Sequence, residues 1–160
     1  MNKKIAIGYD LGGQSCGIGL FDVETGELID EGASKLSHLK VADAVFENIC
    51  KDTESLLKSN ELSVDSLASM CMATAGTLGP KGAIEPIEID HILISPNIPH
   101  LNGFSFRKAF TSKYSDVLFL MENDANAAGW AEWFYGVGQK DEVRTLVGFT
   151  LGSGLGGSII

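Results

Sequence analysis

The sequence predicts an α/β domain with a mixed central sheet flanked by helices, and three observations carry that reading. Alternating, extended segments crowd the first 35 residues. Helical periodicities then interleave with short apolar runs of strand length, and glycine clusters close the strands near both ends of the chain. At 160 residues the chain has the length of one ordinary domain.

Taken in order, residues 4–9 alternate apolar side chains and run into Asp10-Leu11-Gly12-Gly13, and 16–23 and 28–35 are again extended. A three-strand meander therefore opens the fold. Its second turn carries Glu24-Thr25-Gly26, where Gly26 supplies the positive φ of a tight hairpin. Over 41–58, Val41, Ala44, Val45, Ile49, Leu56 and Leu57 recur at helical spacing opposite Glu47, Lys51, Asp52 and Glu54, an amphipathic helix. Residues 68–75 form an apolar run closed by Gly76 and by Gly79-Pro80-Lys81-Gly82, which reads as a buried strand feeding a loop. Cys71 lies in that run and reads as a buried, reduced thiol.

Residues 85–103 hold three prolines and mix polar with apolar positions, so irregular covering structure is expected there. A helix over 106–114, a strand over 117–121 and a helix over 124–135 follow, with Asp124 at the positive end of the last helix. Trp130, Trp133 and Phe134 share one helix face, the pattern of core or domain interface rather than of a ligand platform. Residues 144–151 and 155–160 make a strand pair around a glycine turn. The chain closes on Ile159-Ile160 in mid-strand, where a finished domain seldom leaves an apolar edge bare, so a fragment is expected.

Composition removes several classes of function. No apolar run approaches the ~20 residues that span a bilayer, and Gly8, Asp10, Gly12 and Gly13 interrupt the start before a signal-type core develops. A net charge of -9 repels polyphosphate backbones, which disfavours a nucleic-acid binder. Three scattered cysteines without a C-x-x-C pair suit a reducing, cytoplasmic setting, and His38, His91 and His100 share no ligand spacing with them, so no metal site built from these residues is expected.

The chemistry concentrates in two places. Tyr9-Asp10-Leu11-Gly12-Gly13 and Phe149-Thr150-Leu151-Gly152-Ser153-Gly154 share an aromatic-x-Leu-Gly strand exit into glycine. Glycines at a turn let backbone N–H groups approach phosphate oxygens, and two such turns can hold one polyphosphate from opposite sides. Either turn alone also reads as a plain hairpin. Gly152-x-Gly154-x-x-Gly157 matches the dinucleotide fingerprint, but no helix or downstream acid follows, and a Walker A lysine is missing. Asp10 can hold the water shell of Mg²⁺ on the phosphates, or act as a turn residue. The second place is Glu122-Asn123-Asp124-Ala125-Asn126-Ala127-Ala128, where a buried strand becomes a helix. Asp124 there can accept a proton from a sugar hydroxyl while the Asn123 amide fixes the neighbouring hydroxyl; the alternative makes Asp124 an N-cap and Asn123 a turn residue. Glu122 and Asn126 read as groups that orient the junction.

These stretches, with Ser95-Pro96-Asn97 and the continuation Leu155-Gly156-Gly157, resemble in order and spacing the ROK family (repressors, open reading frames, kinases), a group of actin-like, ribonuclease-H-fold ATPases. The resemblance spans essentially the whole chain. It implies a ribonuclease-H-like lobe over 1–138 and the first hairpin of a second lobe over 139–160. It further implies glucokinase-like or N-acyl-hexosamine kinase activity with ATP and Mg²⁺. Asp10, Gly12, Gly13, Gln14, Gly152, Ser153 and Gly154 would then face the phosphates, Asp124 would be the catalytic base, and Gly76, Asn97, Asn123 and Asp124 would meet the sugar. A structural zinc is implied only outside these residues. The family usually carries Thr after the paired glycines, with Lys or Asn next, whereas Gln14 and Ser15 stand here. Family regulators carry an added N-terminal helix-turn-helix; a strand beginning by Lys4 favours the kinase, with a sugar-sensing regulator as the alternative. The implied partners are a small sugar and a nucleotide, and oligomeric state is left open, a homo-oligomer included.

Overall fold

Alternation in the first 35 residues becomes a meander of β1 (Ile5–Leu11), β2 (Ser15–Asp22) and β3 (Leu28–Lys35) in the computed structural model, which describes residues 4–80, 89–140, 142–151 and 154–160. Then come α1 (Ala42–Ser59), β4 (Leu67–Thr74), the short β5 (Thr77–Gly79) and β6 (His91–Ile94), and α2 (Phe106–Lys113). β7 (Leu118–Asn123), α3 (Asp124–Tyr135), β8 (Val147–Leu151) and β9 (Leu155–Ile159) complete the order. The main sheet runs β3-β2-β1-β4-β7, antiparallel across β3, β2 and β1 and parallel across β1, β4 and β7, which is the mixed sheet expected. β5 and β6 form one further pair and β8 and β9 another.

Period-two patterning sets the core. Ile5, Ile7, Tyr9 and Leu11 of β1, Met70 and Met72 of β4, and Phe119 and Met121 of β7 are buried on one face. α1 and α2 cover that face: Phe110 stacks on Phe119 with ring centroids 4.6 Å apart, meets Phe46 edge-on at 5.1 Å, and lies 5.4 Å from Tyr9. Truncating Phe110 to Ala would cost about 3–5 kcal/mol on the scale of buried aromatics. The opposite face carries small residues, Ala6, Gly8, Gly17, Gly19 and Ala73, and it is incompletely covered.

Three expectations change. Cys71 is exposed, because β4 is buried on one face only and residue 71 alternates away from Met70 and Met72. Within 89–103, β6 pairs with β5 and a 3-10 turn forms at Pro99–Leu101; strands of three and four residues are too short to display alternation in sequence. Residues 81, 82 and 85–88 of the expected loops lie outside the described residues. On α3, Trp130 and Phe134 stack on each other at 5.6 Å but are exposed, so of the two expectations, core or domain interface, core does not hold for them among the described residues.

The parallel strands fix the position of the site. Leu11, Thr74 and Asn123 stand level across β1, β4 and β7, so three strand exits open at the same end of the sheet. Thr74 Oγ1, fully buried, donates to Leu11 O at 3.2 Å and holds two of those exits together. Open sheets place their ligand sites at the carboxyl ends of such strands.

Candidate active site

The exit of β1 makes the first wall. Gly12 N donates to Ser15 O at 2.9 Å to close the hairpin, and Gln14 O accepts from Leu36 N at 2.8 Å and Ser37 N at 3.1 Å. Neither Gly12 nor Gly13 has a positive φ, so what they supply is clearance rather than a left-handed turn. Asp10 is exposed at the end of β1, beside Gly17 and Ala73 in the register, whose small side chains leave room around its carboxylate.

The exits of β4 and β7 make the floor. Gly76 has φ +117, and a Cβ there would come within 2.5 Å of Ile94 O, so only glycine fits. Asn123 is the N-cap of α3, with Oδ1 accepting from Ala125 N at 3.0 Å and Asn126 N at 3.4 Å. Its Nδ2 donates to Gly76 O at 3.2 Å, which leaves one amide hydrogen uncommitted among the described residues. Glu122 Oε1 accepts from Asn123 N at 2.7 Å and Asn126 Nδ2 at 3.0 Å, the orienting role expected of that pair. Asp124 is the first residue inside the helix and is exposed, its Oδ1 accepting from Ala125 N at 2.9 Å. The alternative that made Asp124 the cap and Asn123 a turn residue is therefore corrected: the cap falls to Asn123 because its backbone is still extended.

The β8–β9 hairpin makes the far wall, seated on α3 by close glycine contacts. A Cβ at Gly129 would lie 2.4 Å from Ser158 Oγ, and one at Gly156 would lie 2.9 Å from Ala125 Cβ. Between these walls is a cleft of about 930 Å³, the size of a small-molecule site. Asp10, Gly12, Gly13, Gln14, Gly76, Asn97, Asn123, Asp124 and Gly154 all line it. Gly152 and Ser153 lie outside the described residues. Ser15, Ile98, Thr150 and Gly156 also line it without having been given a site role; Thr150 stood inside the strand-exit pattern and Ser15 and Gly156 inside the family stretches, while nothing local marked Ile98.

The sequence profile of the ROK family matches residues 6–160. The chain belongs to the ROK family. Among its relatives, a glucokinase of Thermotoga maritima is 28% identical over 160 residues, covering 100% of this chain and 45% of its own length. The chain thus spans about half the length of the curated relatives it matches. A ROK glucokinase from Streptomyces griseus, solved in complex with glucose and AMPPNP, is 26% identical with a TM-score of 0.72 over 98% of this chain and 44% of its own. A ROK transcriptional regulator, a homologue of the E. coli MLC protein, shares the fold at 18% identity and a TM-score of 0.70, over 99% of this chain and 37% of its own. The ROK members around this chain thus include sugar kinases, and its mixed sheet with flanking helices is that of the actin-like ATPase sugar kinases. Among the described residues, no helix is long and apolar enough to cross a membrane.

Proposed function

We propose that the protein is a cytoplasmic, ATP-dependent kinase of a hexose or N-acyl-hexosamine, to which residues 1–138 contribute the first lobe and residues 139–160 the start of the second. The observation that carries this reading is the meeting of Asp10, the Gly12-Gly13 turn, Gly154 and the Asp124 carboxylate on one cleft. In the reaction, a sugar hydroxyl oxygen forms the new bond to the γ-phosphorus of ATP as the bond to the β–γ bridging oxygen breaks. Asp124 accepts the hydroxyl proton, and ADP leaves. Asn123, with one amide hydrogen to spare, and Asn97 hold neighbouring sugar hydroxyls, while Gly76 accepts from the Asn123 amide and lets the Ile94–Ser95 backbone come close. Backbone N–H groups of Gly13 and Gln14 cradle the phosphates, Gly12 leaves them room with its own N–H spent on Ser15 O, and Gly152, Ser153 and Gly154 supply further donors.

Mg²⁺ bound to the phosphates offsets their charge. Asp10 suits its water shell, since Gly17 and Ala73 beside it leave room for water around the carboxylate. Positioning and charge stabilisation between two walls supply most of the rate in such transfers.

A sugar-sensing regulator is the second reading. It is favoured by Gln14, which stands where the family usually has a hydroxyl side chain. A coupled assay of the full-length protein with ATP, Mg²⁺ and a panel of hexoses and N-acetylated hexosamines separates the two. Phosphorylation of one of these sugars is expected. Sugar binding without any transfer would overturn the kinase reading in favour of the regulator.

A further inference from the structure

One backbone contact joins the phosphate side of the cleft to its sugar side. A Cβ on Gly13 would stand 3.2 Å from the Asn97 carbonyl oxygen, tighter than most side-chain contacts, and at an ordinary 3.7 Å from Ile98 Cγ2. The residues flanking the contact are held on both sides. On one side, Ser95 is buried with its N–H donating to Asn102 Oδ1 at 2.9 Å, and its Cβ would lie 2.8 Å from a Cβ on Gly76. Ile98 is buried too, and its carbonyl accepts from Leu101 N at 2.9 Å. On the other side, the hairpin bond from Gly12 N and the two bonds accepted by Gln14 O hold the turn.

We propose that Gly13 is a positioning residue acting through Asn97: it lets the phosphate turn and the 95–98 segment touch, so that a ligand on either one shifts the affinity of the other. Two pinned backbones in contact cannot move independently, and coupling of this kind is reciprocal by linkage. The competing account, in which Gly13 merely admits a phosphate, confines its effect to the nucleotide. The sugar readout of this inference rests on the kinase reading; its structural readout does not.

The test uses the full-length protein carrying Gly13→Ala, Gly12→Ala or Ile98→Ala. Steady-state kinetics are measured together with amide hydrogen exchange over residues 95–102. Gly13→Ala is expected to raise the sugar KM about tenfold with a smaller change in kcat, as for a displaced positioning group. It is also expected to speed exchange over 95–102 in the absence of any ligand. Gly12→Ala, whose Cβ would meet only Ser15 O at an ordinary 3.4 Å, should change the ATP KM and leave the sugar KM alone. Ile98→Ala frees the segment without altering the turn and should raise the ATP KM along with the sugar KM; an unchanged ATP KM would overturn the coupling even if Gly13→Ala does not fold. A Gly13→Ala protein altered in ATP KM only, with wild-type exchange over 95–102, would also overturn it. Should no hexose be phosphorylated, the kinase reading fails on its own. Exchange over 95–102 then decides: faster in Gly13→Ala sustains the coupling, unchanged refutes it.

Discussion

The β1–β2 turn and the β8–β9 hairpin begin from the same strand-exit pattern and are held in opposite ways. The first is embedded in a five-stranded sheet: β1 lies between β2 and β4, its inward side chains are buried, and the turn's backbone is bonded to Ser15, Leu36 and Ser37. The second is a two-stranded sheet seated on α3 through Gly129 and Gly156. Its outer face is apolar and solvated, with Phe149 74% and Leu151 86% exposed beside Val147, Leu155 and Ile159. Two-stranded hairpins are marginal by themselves. A shared local motif thus yields one wall fixed by the main sheet and one that, among the described residues, rests on α3.

Substitutions can break that contrast, and the largest effect is expected at α3. Gly129→Val would put methyl groups where Ser158 Oγ lies, lift the hairpin from the helix and cost about 2–3 kcal/mol as overpacking; a urea midpoint equal to wild type would mean that the seat is not needed. Next is Gly76→Ala, which forces a left-handed φ on alanine and drives Cβ into Ile94 O, for about 1–3 kcal/mol by the same measurement.

Asn123→Ala should cost about 1 kcal/mol through the lost cap, whereas Asn123→Ser keeps a capping oxygen, sets no acceptor against Gly76 O and recovers most of that stability. Comparable midpoints for the two variants would show that the cap contributes little. Smallest is Gly12→Ala, expected within about 0.5 kcal/mol of wild type because its Cβ meets only an ordinary contact. A larger loss would show that the first turn is less tolerant than its embedding in the sheet suggests.

The meander, α1, the mixed sheet and the strand exits that carry the described candidate residues were legible in sequence, since alternation, helical period and glycine exits are local signals; the strand order was not, because it is set by pairing between distant segments. β5 and β6 were not, being too short to display a period. Cys71 was misread because an apolar run looks the same whether one face or both faces are covered. The cap at Asn123 was not read, and the alternative put it on Asp124, because adjacent polar residues at a strand–helix junction compete for one backbone position. The close approaches of Gly13 to Asn97 and of Gly76 to Ile94 join segments far apart in the chain, so the sequence marked both glycines without the packing that requires them.

Asp124→Asn in the full-length protein tests the central claim most directly, because the amide oxygen can still accept from Ala125 N while the side chain can no longer take a proton. Sugar affinity is expected to stay near wild type while kcat falls by about 10²–10⁴, the range for loss of a general base. Undiminished turnover would contradict the account and remove Asp124 from the reaction.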